Sequence, residues 1–207
     1  MLKDNQKYKG HRGNFMTFTC IAGLIVGVFS VISDNLPNLS DGVTVFKFVI
    51  SYLAVMINSL PIWFILAMVV GYIFAKKIRD AVLLGAIYTI AAITFYFVIS
   101  NIYQDTPVTI SFKEEAISYL IWYGASTVGG IIGGCVGFFI KKTPYALLSL
   151  LAGLILQLFV NGTSSWNNIV GIAQNITYCL MIGCIVIIYI VIVKFNISLV
   201  KRNEERL

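Results

Sequence analysis

The chain has a single histidine, His11, and it sits in a basic N-terminal tail. Histidine-based acid–base or metal chemistry therefore lacks material. Charge is scarce as well. Asp, Glu, Lys and Arg make up 12% of the 207 residues, about half of what a soluble domain carries. The four cysteines, Cys20, Cys135, Cys179 and Cys184, have no CxxC spacing and no histidine nearby. That argues against a disulfide framework or a zinc site and predicts small buried apolar residues. Neither a glycine-rich phosphate loop nor a nucleophile elbow occurs in a suitable context. No enzymatic activity and no cofactor are expected.

Apolar sequence is what the chain has in quantity. Hydrophobic residues make up 58% of it, and its mean hydropathy is +0.88. Runs of this length and number cannot all be buried in one globular core of this size, but lipid can solvate them. The expectation is an all-α integral membrane protein with spans over 15–33, 60–75, 81–103, 116–140, 144–160 and 169–193. The N-terminal tail and first run have the look of a signal peptide. The run is longer than a usual signal core, and no A-x-A-like site follows, so it reads as a retained first span. The stretch 43–58 is apolar but short. On a helix, Lys47, Ser51, Ala54 and Asn58 share one face, which suits an amphipathic outer helix, interfacial or re-entrant. Residues 1–14 and 194–207 read as basic tails.

The formal charge of +6 does not form a stripe for nucleic acid. The basic residues stand at the ends of the apolar runs, in the N-tail, in the turns at Lys76-Lys77 and Lys141-Lys142, and in the C-tail. Of the 15 basic residues only Lys47 and Lys113 fall on the other side. Acidic residues lean the opposite way, with Asp34, Asp41, Asp105, Glu114 and Glu115 on the lysine-poor side. The bias predicts both termini in the cytoplasm of a cell membrane. The Glu114-Glu115 pair is similar to the glutamate pair of intramembrane CAAX-type proteases. However, Tyr119 stands where the arginine would be and no histidine follows, so the pair reads as solvated charge at a helix N-terminus.

Two patterns inside the runs draw attention. In the fourth run Gly129, Gly133 and Gly137 repeat every four residues, as do Ser126, Gly130 and Gly134; the first run has Gly23 and Gly27. Small residues at this spacing let helices approach closely, within one bundle or between two copies of the chain. The second pattern is polar and aromatic. Trp63, Tyr119, Trp122, Tyr123, Gln157, Gln174, Asn175 and Tyr178 fall at similar depth on the outer side. An interfacial aromatic belt explains the rings but not the amides, which need partners when buried. A shared outward-facing pocket explains both, with the 43–58 helix as a lid and Lys47 as its nearest positive charge. No Asp, Glu, Lys, Arg or His lies deep in a span, which argues against a proton relay and points to a small neutral ligand. Asn161-Gly162-Thr163 is a formal glycosylation sequon.

Gly23-Leu24-Ile25-Val26-Gly27, the Trp63…Gly71…Lys76-Lys77 hairpin, Ala81…Gly85…Tyr96 and the glycine-rich fourth run resemble a family of small six-span bacterial membrane proteins, a domain of unknown function. That resemblance implies six helices in a bacterial inner membrane and supplies no activity. The size and helix number are also similar to the substrate-binding subunits of energy-coupling-factor transporters. In those proteins an Ala-x-x-x-Ala pattern in the first helix serves docking; here it is Gly23-x-x-x-Gly27. The function expected from all this is a small-molecule carrier or the membrane subunit of a transporter. The alternative is a structural, immunity or accessory protein that binds a membrane partner or a second copy through its glycine faces.

Overall fold

A computed structural model describes residues 2–36, 44–103 and 112–204, with side chains described for 13–36, 44–103 and 112–194. Among the described residues the chain forms seven α-helices and no strand. They are α1 (Leu2–Asp34), α2 (Val45–Ile57), α3 (Leu60–Phe74), α4 (Ile78–Tyr103), α5 (Phe112–Ile140), α6 (Leu147–Asn161) and α7 (Ile169–Glu204). Single 3-10 turns precede α6 and α7, at Pro144–Ala146 and Thr163–Asn167. Both expected tails continue a helix: α1 starts at Leu2 and α7 runs to Glu204.

Five helical segments are each long and apolar enough to cross a membrane, and a sixth is reached only if α2 and α3 count as one bent span. The expected run 60–75 corresponds to α3, which reaches that length only together with α2. With 15 residues, α3 is roughly 22 Å long, short of a hydrocarbon core of about 30 Å. α2 and α3 meet at 60° across Asn58-Ser59. The local chemistry accounts for the break. Pro61 starts α3, where its missing N–H costs nothing and where it prevents α2 from continuing. The Ser59 hydroxyl donates to the Met56 carbonyl at 2.6 Å, and the Asn58 amide closes α2 on the Ala54 carbonyl at 2.9 Å. Of the predicted amphipathic face of α2, Ser51 and Ala54 are buried while Lys47 is exposed.

The helices pack around two larger apolar cores and a small third cluster of Ala75, Ala81 and Phe138. One joins α1, α3 and α4 through Phe15, Val26, Ala67, Val70, Phe74, Tyr88 and Ala92. Phe74 stacks edge-on against Phe15 at 5.5 Å, and Phe18 lies 5.9 Å from Tyr88. The other joins α2, α6 and α7 through Met56, Leu154, Tyr178 and Ile185. α5 belongs to the first body, since its closest packing is against α4 and α3, whereas it barely touches α6.

α5 is wedged between α3 and α4 by its glycines. A Cβ on Gly130 or Gly134 would collide with the backbone of Gly85 or Ala81 on α4. One on Gly137 would meet the Met68 carbonyl on α3, and one on Gly133 would sit 2.7 Å from Ala67 Cβ. Gly71 faces the Gly134 backbone in return. On α1, a Cβ at Gly27 would lie 2.9 Å from the Tyr96 amide nitrogen, and one at Gly23 3.1 Å from the Phe95 ring. The glycine faces are thus covered from within the chain. Gly129 differs, with nothing within 4 Å of its would-be Cβ.

The basic turns lie together at one end. Lys141 Nζ donates to the Ala75 carbonyl at 2.9 Å and lies 5.5 Å from the Tyr72 ring centre. The cysteines are free, and Cys20, Cys179 and Cys184 are exposed. This corrects their expected burial: the glycines, not the cysteines, take the close contacts.

Candidate functional site

Between the two cores, the helices leave a cavity of about 570 Å³. It is within the range of roughly 300–1,000 Å³ usual for small-molecule sites. Its position follows from the packing. α5 turns glycines toward α3 and α4 and so stays clear of α6, while α6 packs on α3 instead. One wall is aromatic: Trp63 and Phe64 of α3, Tyr96 of α4 and Trp122 of α5. The opposite wall is α6, with Leu150, Gly153, Leu156 and Gln157. The floor reaches Thr89, Ser126 and Gly129, near the middle of α4 and α5. Gly129 and Gly153 both line the space, and a Cβ on either would have nothing within 4 Å.

The end of the cavity away from the basic turns, here termed its mouth, is lined by Asp34 and Asn58. The Tyr96 hydroxyl donates to Asp34 Oδ2 at 2.8 Å, and Asn58 Nδ2 donates to Asp34 Oδ1 at 3.2 Å. These bonds tie the end of α1 to the α2–α3 bend and to α4. Lys47 does not line the cavity. It sits near the start of α2, some eleven residues or about 16 Å of helix from Asn58, so the expected positive charge at the mouth is not there.

The polar residues singled out in the sequence divide into three groups. Trp63, Trp122 and Gln157 line the cavity. Tyr119 and Tyr123 do not. They form a ring cluster with Phe97, at 4.5 and 5.7 Å, while Tyr119 bonds Glu115 at 2.9 Å and Tyr123 bonds Thr94 at 3.0 Å. Gln174, Asn175 and Tyr178 are buried, but in a hydrogen-bond network behind α6. Asn161 is its centre. It accepts from Gln157 Nε2 at 2.7 Å and donates to Asn175 Oδ1 at 2.8 Å and, more weakly, to Gln174 Oε1 at 3.4 Å. Asn175 donates to Ser165 at 2.7 Å. Gln174 donates to the Tyr178 hydroxyl at 2.9 Å and to the Val55 carbonyl on α2 at 3.3 Å. Tyr52 and Thr177 hydroxyls meet at 2.7 Å. These amides staple α2, α6, α7 and the 163–167 turn together, so their burial is explained without a ligand.

Gln157 bridges the two regions. Its amide nitrogen is in the network, while its Oε1 is buried and has no hydrogen-bond partner among the described residues. An unpaired buried acceptor costs about 1–3 kcal/mol, and this one belongs to a cavity-lining side chain.

No family model, curated protein or solved structure matches this chain. The site is therefore read from its own geometry. Sequence reasoning missed Asp34, Asn58, Phe64 and Tyr96 as lining residues. Asn161, read only as part of a sequon, is the hub of the amide network. The signal for Asp34 was its place just past the first apolar run, facing the same side as the tryptophans.

Proposed function

We propose that this protein is a non-enzymatic, multi-pass protein of a bacterial cell membrane that carries a small molecule, alone or as the membrane subunit of a transporter. Both termini lie in the cytoplasm in this reading, and the bent α2–α3 pair forms the sixth crossing. The basic turns then face the cytoplasm, as the lysine bias requires, and the cavity mouth opens outward. One observation carries the proposal: a cavity of about 570 Å³ walled by aromatic rings, with a carboxylate and a few amide and hydroxyl side chains on its lining. Apolar walls with a few convergent polar groups are the usual composition of ligand sites. Using the glycine faces to bind a partner is less favoured, because α3 and α4 already cover them.

The test fills the cavity without disturbing the packing. Gly129→Leu with Gly153→Leu projects two side chains into open space. The neutral fluorophore 1-aminoanthracene should bind the unaltered protein saturably in phosphatidylcholine nanodiscs. The filled variant should stay folded and lose that binding. Equal fluorophore binding by the two proteins would overturn the reading.

A further inference from the structure

We propose that the cavity selects a lipophilic organic cation, with an apolar or aromatic body and one positive charge seated at Asp34. This rests on the carrier reading above and names its ligand class. The charge expected from the spans alone was neutral, because no ionisable group lies deep in an apolar run. The fold changes that by bringing the end of α1 to the cavity mouth, where Asp34 becomes part of the lining.

Three features agree on a cation. The Asp34 carboxylate is held in place by two donors, the Tyr96 hydroxyl and the Asn58 amide, at 2.8 and 3.2 Å. A carboxylate accepts more bonds than these two, so acceptor capacity remains. Below it stand Trp63, Phe64, Tyr96 and Trp122. Aromatic faces attract cations through their quadrupole and repel anions. Among the described residues no Lys, Arg or His lines the space, so none of them would balance an anionic ligand. An anion would face a carboxylate, whereas a protonated amine or onium group meets complementary charge at the mouth. Its apolar body replaces water against the rings and α6.

The test uses two tetraphenyl ions of one shape, tetraphenylphosphonium and tetraphenylborate, and the smaller neutral triphenylphosphine oxide. Each is titrated against bound 1-aminoanthracene on the full chain in phosphatidylcholine nanodiscs, with empty discs subtracted. The phosphonium should displace the fluorophore at concentrations about tenfold below those of the phosphine oxide, and the borate should not displace it. Asp34→Asn should weaken the phosphonium about tenfold and leave the phosphine oxide unchanged, with Asp34→Glu restoring most of the difference. Trp122→Leu should weaken the phosphonium several-fold. If phosphonium and phosphine oxide compete equally, or Asp34→Asn changes neither, the cation class is wrong while the cavity stands. Fluorophore binding that is indifferent to Gly129→Leu with Gly153→Leu removes the site and this inference with it. Should Asp34→Asn fail to fold, the borate and phosphonium arms on the unaltered protein decide alone.

Discussion

Tyr88 lies wholly inside the first core, yet its hydroxyl has no hydrogen-bond partner among the described residues. Leaving such a group unpaired costs about 1–3 kcal/mol. Tyr88→Phe should therefore keep the ring packing against Phe18 and raise stability by about 1 kcal/mol, read as a higher melting temperature in detergent. A lower one would mean that the hydroxyl is satisfied in the folded chain. The opposite is expected at Asn161. Asn161→Ala strips the Gln157 amide of its partner and loosens Asn175 and Gln174 together. The cost should be about 1–3 kcal/mol, above the roughly 0.6 kcal/mol of an average inter-helix bond in a membrane. Chemical denaturation of the two proteins side by side distinguishes these values. At this scale the sequence was only partly legible. The amides Gln157, Gln174 and Asn175 stood out because polar groups in apolar runs must find partners. Which of them face each other and which face a cavity depends on helix rotation, and a helix that is apolar all round carries no mark of its rotation.

α5 was the most legible element. Its four-residue glycine repeat announced close backbone contact, and the contacts with α3 and α4 are there. The sequence did not reveal that the repeat serves two neighbours at once and leaves Gly129 over a cavity. Gly134→Ala should lose folded protein or cost at least about 1–3 kcal/mol, the usual range for overpacking, because the new methyl would run into the Ala81 backbone. Gly129→Ala and Gly183→Ala, with open space at the Cβ, should be neutral or slightly stabilising, since alanine favours helix by about 1 kcal/mol over glycine. Size-exclusion profiles and thermal melts of the three variants check the contrast; equal loss in all three would mean that the wedge is misassigned. The α2–α3 pair was harder to read. Composition separated the two helices, but not the 60° bend between them.

For the whole molecule, lysine placement was the informative signal, and the contact between Lys141 and the Ala75 carbonyl puts two of the basic turns side by side. If they face the cytoplasm, cysteines at Arg79 and Lys142 should react with a membrane-impermeant maleimide only after the membrane is opened. Cysteines at Thr163 and Asn167, in the turn before α7, should react in intact cells. Cys20, Cys135, Cys179 and Cys184 would first be replaced by serine or alanine. Labelling of position 142 from outside would reverse the orientation. Hydropathy gave no hint of the division into two cores, because it records how apolar a residue is and not which neighbour it meets. That division has a consequence in time. A chain is made from its N-terminus, and the first body is complete once α5 has been synthesised. α2 is made second, but its bonds from Tyr52 to Thr177 and from the Val55 carbonyl to Gln174 wait for α7, more than a hundred residues later. Until α6 docks, the wall bearing Trp63 and Trp122 is an open notch on a half-built protein, so the binding site is among the last features of the molecule to come into existence.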